Sequence, residues 1–108
     1  MEAKTMTTEQ IKACGRIYAL LRKALGKDNL ADDSNVTIYP LQTITIYVVE
    51  AHRRKLVADS LDKELMEFYN KFSVDEWQDN FRKPLTLEQQ GVFLQAKYQA
   101  MYKPGDAE

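Results

Sequence analysis

The stretch Pro40-Leu41-Gln42-Thr43-Ile44-Thr45-Ile46-Tyr47-Val48-Val49-Glu50-Ala51 decides the fold. Read in steps of two, its β-branched residues from Thr43 to Val49 alternate as a half-buried strand would. Read in helical steps, Leu41, Ile44, Val48, Ala51 and Lys55-Leu56 share one face. Pro40 suits the first position of a helix, where its missing N–H would have no partner anyway. No Gly, Asn or Pro interrupts the pattern before Asp59. The spacing therefore predicts a helix from Pro40 to Val57, with a strand over residues 44–49 as the competing reading. Propensity is the weaker guide, because tertiary packing overrides it.

With that segment helical, the flanks give an all-α chain. Thr7 and Gln10 have the spacing of a capping box. Ile11, Cys14, Ile17, Tyr18, Leu21, Ala24 and Leu25 then recur on one helical face, and Gly26 is a stop. Residues 27–35 are polar, contain Asp32-Asp33, and predict an exposed loop. Leu61, Leu65, Phe68 and Phe72 mark another helix. Ser73 with Glu76 is a second capping box, opening a short helix that Trp77 and Phe81 would pin down. Thr86 with Gln89 is a third, and starts a helix running to Tyr102. There Leu87, Gly91, Leu94, Tyr98 and Met101 share a face, with Phe93 and Ala100 beside it. Pro104-Gly105 closes the pattern. The expectation is a single-domain bundle over residues 1–108 of four main helices, with the short extra helix after Ser73 left open. Residues 1–6 and 104–108 are expected to be frayed.

Composition limits the function. A chain of 108 residues makes one domain and can bury a core without staples. One cysteine leaves no internal disulfide, and one histidine leaves no Cys/His zinc cluster. His52 lacks a nucleophile or carboxylate on its own helix face, and Cys14 falls on an apolar face where free cysteine packs as a small hydrophobe. Asp32, Asp33, Asp75, Glu76 and Asp79 do not have calcium-loop spacing. No phosphate-binding glycine loop or nucleophile motif occurs. The expectation is no enzyme, metal, cofactor or small-molecule substrate. The polar start and the lack of a long apolar run predict no membrane segment and a cytoplasmic protein.

The net charge of −1, from 15 basic and 16 acidic residues, argues against tight independent nucleic-acid binding. It leaves room for local basic patches. Lys12, Arg16, Lys23 and Lys27 follow one another at intervals of 4, 7 and 4, which strings them along one side of the first helix. Arg53, Arg54 and Lys55 cluster at the end of the second. Arg82 and Lys83 precede the last helix, and Lys97 lies on it. Such groups contact phosphates without reading sequence. The competing reading is a solvated face, with cations placed well at helix C-termini. Tyr39, Tyr47, Tyr69 and Tyr102 are assigned to packing or an interface rather than to base stacking.

The wording of several segments is also informative. Leu85-Thr86-Leu87-Glu88-Gln89-Gln90-Gly91-Val92-Phe93 closely resembles the final helix of a CRISPR family, the small-subunit-like C-terminal region of the type I-C Cascade large subunit, which is also made as a separate small subunit. Gly15-Arg16-Ile17-Tyr18-Ala19-Leu20-Leu21 is similar to its first helix, Ile38-Tyr39-Pro40 to the start of its second, and Leu61-Asp62-Lys63-Glu64-Leu65 to its third. The order matches over roughly residues 12 to 100. The family's Gly-Tyr-Tyr run reads Ala96-Lys97-Tyr98 here, and its His-Gln reads Gln99-Ala100.

The resemblance implies a non-catalytic part of a crRNA-guided antiviral complex. Its partners would be other Cascade subunits, copies of itself, the guide–target heteroduplex and the displaced DNA strand. Lys12, Arg16, Lys23, Arg53, Arg54, Lys55, Arg82, Lys83 and Lys97 are the candidate contacts. Only Arg16 is fixed by the family motif; the others rest on charge and expected exposure. The alternative is a helical protein–protein adaptor, or a phage-encoded inhibitor that binds or mimics a Cascade subunit.

Overall fold

A computed structural model describes residues 5–26 and 37–102. These hold five helices and no strand: α1 (Thr8–Leu25), α2 (Pro40–Arg53), α3 (Asp59–Tyr69), α4 (Val74–Phe81) and α5 (Leu87–Tyr102). The expected loop over residues 27–35 lies outside the described residues. So do Lys27, Asp32, Asp33, the Pro104-Gly105 stop, the tail over residues 104–108 and the side chain of Tyr102.

The helical reading of α2 holds. Pro40, Leu41, Ile44 and Ala51 are buried, while Ile46 and Val49 are 63% and 61% exposed. The residues that suggested a strand are thus split between the two sides of a helix. The Thr45 hydroxyl donates to the Leu41 carbonyl at 2.8 Å, so it needs no outside partner. The helix stops at Arg53, short of the expected Val57. Lys55 takes a left-handed conformation with φ 58°, and its N–H bonds to the His52 carbonyl at 3.0 Å. The next N–H, of Leu56, reaches back to the Ala51 carbonyl at 2.9 Å. Together these make a Schellman stop with lysine where glycine is usual.

α1 is the hub, packing most extensively on α5 and also on α2 and α3. It runs parallel to α5, where Gly15 faces Phe93 and Lys97 and Lys23 reaches Ala100, and antiparallel to α3, where Gln10 meets Lys71, Arg16 meets Glu64 and Ala24 shares a groove with Leu61. Gly15 permits the α1/α5 contact. A Cβ there would lie 2.6 Å from the Phe93 carbonyl oxygen and 2.9 Å from both the Ala96 Cβ and the Lys97 nitrogen. Two of those three atoms are backbone and cannot swing aside.

The short extra helix that the Ser73/Glu76 box offered forms as α4, so the described residues hold five helices rather than four. It contributes buried Asn80 and half-buried Trp77 and Phe81, packs on α2, and stands as a full fifth member. Of residues 1–6, expected to be frayed, residues 1–4 lie outside the described residues, and Met6 is buried in the core. The inward face expected for α5 is corrected too: Leu87 is 84% exposed, and Gly91 and Tyr98 are also exposed. Phe93 and Lys97 point inward instead, because that face carries the backbone on which Gly15 sits.

All three capping boxes form. Two are joined. Gln10 Nε2 donates to the Lys71 carbonyl at 2.7 Å and to Glu76 Oε1 at 3.2 Å, and the same Glu76 oxygen accepts the Ser73 N–H at 2.9 Å. The starts of α1 and α4 and the end of α3 therefore meet at one polar junction.

Candidate nucleic-acid interface

The candidate cations divide by what surrounds them. On α1, Lys12 and Arg16 look across to acidic α3. Arg16 forms a two-pronged ion pair with Glu64, Nη2 to Oε2 at 2.9 Å and Nε to Oε1 at 3.3 Å. That hydrogen bond raises the guanidinium pKa above its ordinary value, with burial opposing. Lys12, Arg16 and Lys71 share a groove of about 270 Å³ with Glu9, Glu64 and Glu67. Three cations facing three carboxylates leave little net field there. The one residue that the family wording fixed is thus committed to an intramolecular pair.

The other end differs. The C-terminal ends of α1, α2 and α5 gather there. Lys23 and Ala24 border the same groove as Leu56 and Ala58, and Lys23 Nζ donates to the Ala100 carbonyl at 3.2 Å. Arg53 and Arg54 both grip Glu50, each at 2.8 Å, and their side chains are 69% and 45% exposed. Lys55 follows, exposed. One carboxylate against three cations leaves this turn positive. The cations also face the negative end of the α2 dipole, which stabilises them in place.

Arg82 is exposed and Lys83 half-buried in the turn after α4. Lys97 departs from the expectation of exposure. It is 2% exposed, and its Nζ lies 4.6 Å from the Tyr98 ring centroid. Its stem fills the α1/α5 seam, which removes it from the set of surface contacts. Sequence reasoning passed over Arg22, which is also buried, with its guanidinium 5.7 Å from the Tyr18 ring centroid. The clue was its place beside Leu21 on a helix buried on more than one side.

Of the aromatics, Tyr47 stacks on Tyr18 at 5.6 Å and 22°, a packing role. Tyr69 joins Phe68, Phe72, Trp77 and Phe81 in a chain of ring contacts. His52 is exposed, and its Nδ1 lies 3.0 Å from the Val48 carbonyl of its own helix. Cys14 is fully buried, which pushes its thiol pKa well above the ordinary range. Among the described residues, no three of His, Cys, Asp and Glu are grouped to hold a metal. No described helix is long and apolar enough to cross a membrane. No protein-family model, curated protein or solved structure matches this chain.

Proposed function

We propose that this chain is a non-catalytic small subunit of a crRNA-guided CRISPR surveillance complex, bracing the guide–target heteroduplex and holding the displaced DNA strand. The observation that carries this reading is the positive turn at the end of α2, where Arg53, Arg54 and Lys55 outnumber Glu50 on an exposed surface. Guanidinium and ammonium groups so presented suit phosphate contacts that ignore base sequence. Lys23 extends the cationic region at the same end, and Arg82 and Lys83 form a second, smaller set. Lys12 and Arg16 take a lesser part, since acidic α3 faces them. A near-neutral chain would bind DNA weakly alone, and neighbours in an assembly would supply the missing affinity as effective concentration.

The test is target-DNA binding by reconstituted type I Cascade with and without this chain. Loss of R-loop formation on omission, and its return on addition, supports the subunit reading. In that background Arg53→Glu/Arg54→Glu is expected to weaken R-loop formation while the isolated domain keeps its helical circular dichroism. Unchanged R-loops in that variant would remove the turn as the site.

The adaptor or inhibitor reading is favoured by one observation, the exposed carboxylates Asp75 and Asp79 on α4, a helix with other residues lining an apolar groove. A chain that joins the complex and lowers R-loop formation would establish it.

A further inference from the structure

Helix α5 packs on α1 by Phe93 and Lys97, and its apolar residues are not used up there. At about 100° per residue, Leu87, Gly91, Leu94, Tyr98 and Met101 form a second stripe, centred about 120° round the helix from Phe93. Leu87 is 84% exposed, the most of any large hydrophobic side chain among the described residues, and Tyr98 is 50% exposed. Gly91 is exposed, and Leu94 and Met101 are half-buried at the inner edge of the stripe. The intervals are 4, 3, 4 and 3, the spacing by which one helix packs along another. Gly91 is a second mark of such a contact. Glycine is a poor helix former, and nothing stands within 4 Å of where its Cβ would be. The bundle uses Gly15 for a close approach and gains nothing of the kind from Gly91.

Charge and side-chain size select the occupant. Charged residues flanking such a stripe normally choose its partner. Here the flanking positions are Glu88 and Gln95 on one side and Gln90 and Lys97 on the other, and Lys97 is buried. Amides with a single exposed carboxylate offer little field to a charged partner. A glutamine amide both donates and accepts, so it can pair with its own kind. The stripe is also its own complement, because its spacing reversed about Leu94 nearly matches itself. Two copies laid antiparallel on a two-fold axis there place Leu94 on Leu94, Leu87 against Met101, and the notch at Gly91 against the ring of Tyr98. Gln95 meets Gln95, and the two Glu88 carboxylates stand at opposite ends. Laid parallel, the copies would set Gly91 against Gly91 and Tyr98 against Tyr98, a gap and a clash.

We infer that α5 pairs with the α5 of a second copy of this chain, antiparallel about a two-fold axis near Leu94, with Tyr98 of each copy seated over Gly91 of the other. Such pairing uses the same patch on both copies, so it closes at a dimer. The seam is about 21 Å long from Leu87 to Met101. A contact of that length stays below the about 1,200 Å² that lasting interfaces bury, so the dimer is reversible, with micromolar affinity. None of the cations of the α2 turn takes part, so the pairing stands or falls apart from nucleic-acid binding.

Sedimentation equilibrium of the full chain between about 10 and about 500 μM is expected to show monomer and dimer in exchange. Leu87→Glu and Gly91→Gln are each expected to weaken the dimer about tenfold, the first by setting a charge against Met101 and the second by filling the notch. Both positions are exposed. Glutamate in the first turn suits the α5 dipole, and glutamine is a better helix former than glycine, so circular dichroism should show both variants folded. Orientation is read from spin labels on Gln95→Cys and, separately, Glu88→Cys; native Cys14 is buried and stays unlabelled. In the dimer the labels at 95 should lie close together, and those at 88 more than about 20 Å apart. A monomer at every concentration, a dimer that neither variant weakens, or equal label distances at the two positions would overturn the inference.

Discussion

The α1/α5 seam and the α2/α4 flank are built from similar residue types and finished to different degrees. At the seam, Gly15 lets two helices approach until backbone meets side chain, and Phe93 is completely covered. Across the molecule, a larger set of rings packs around Trp77, yet Tyr69, Val74, Ile46 and Val49 remain in water. The seam is a whole core. The flank is a core with one wall missing. The contrast teaches that apolar content does not show where a chain is complete; the geometry of closest approach does.

This contrast can be broken by substitution. Phe93→Ala should cost about 3–5 kcal/mol, the range for emptying a buried aromatic site, whereas Ile46→Ala on the flank should change stability by no more than about 0.5 kcal/mol. Denaturant melts of the two variants check both. Comparable losses would mean that the flank is as well covered as the seam. Gly15→Ala should cost about 1–3 kcal/mol, because the new methyl meets backbone that cannot yield without moving a helix. Gly91→Ala, whose Cβ would meet nothing within 4 Å, should instead gain about 0.5–1 kcal/mol from helix propensity and a less flexible unfolded chain.

A smaller effect sharpens the description of the seam's own helix. Burial raises the Cys14 pKa in the folded chain, so the unfolded chain loses that proton first. The contribution is whole below about pH 8.5, the ordinary thiol value, and declines as pH rises beyond it, by at most about 1.4 kcal/mol per pH unit. Thermal melts between neutral pH and pH 10 should show this decline, and Cys14→Ala should flatten it.

Much of this architecture was legible in the sequence. The three capping boxes, the glycine stop of α1 and the helical spacing of Leu41, Ile44, Val48 and Ala51 all depend on local chemistry, and all formed. The orientation of α5 was not legible. Its apolar residues are spread around the helix, so periodicity had no single face to report, and what turned it was Gly15, more than 70 positions away. Lys97 was misplaced for a related reason: a lysine stem packs like an aliphatic chain, and its charge alone suggested water. Among the candidate contacts, the positive turn after α2 could be read from adjacent residues. The neutralisation of Arg16 by Glu64 could not, because it joins separate helices.

The junction of Gln10, Lys71 and Glu76 has a practical consequence for anyone who labels or fuses this chain. Thr7 holds the Gln10 carboxamide from one side while Glu76 and the Lys71 carbonyl hold it from the other. A bulky fusion, or a protease cut, that displaces Thr7 would therefore loosen the first turn of α4 together with that of α1. A reporter attached near the amino end could disturb Trp77 without coming near it, so fluorescence work on Trp77 is better done with the label at the other terminus.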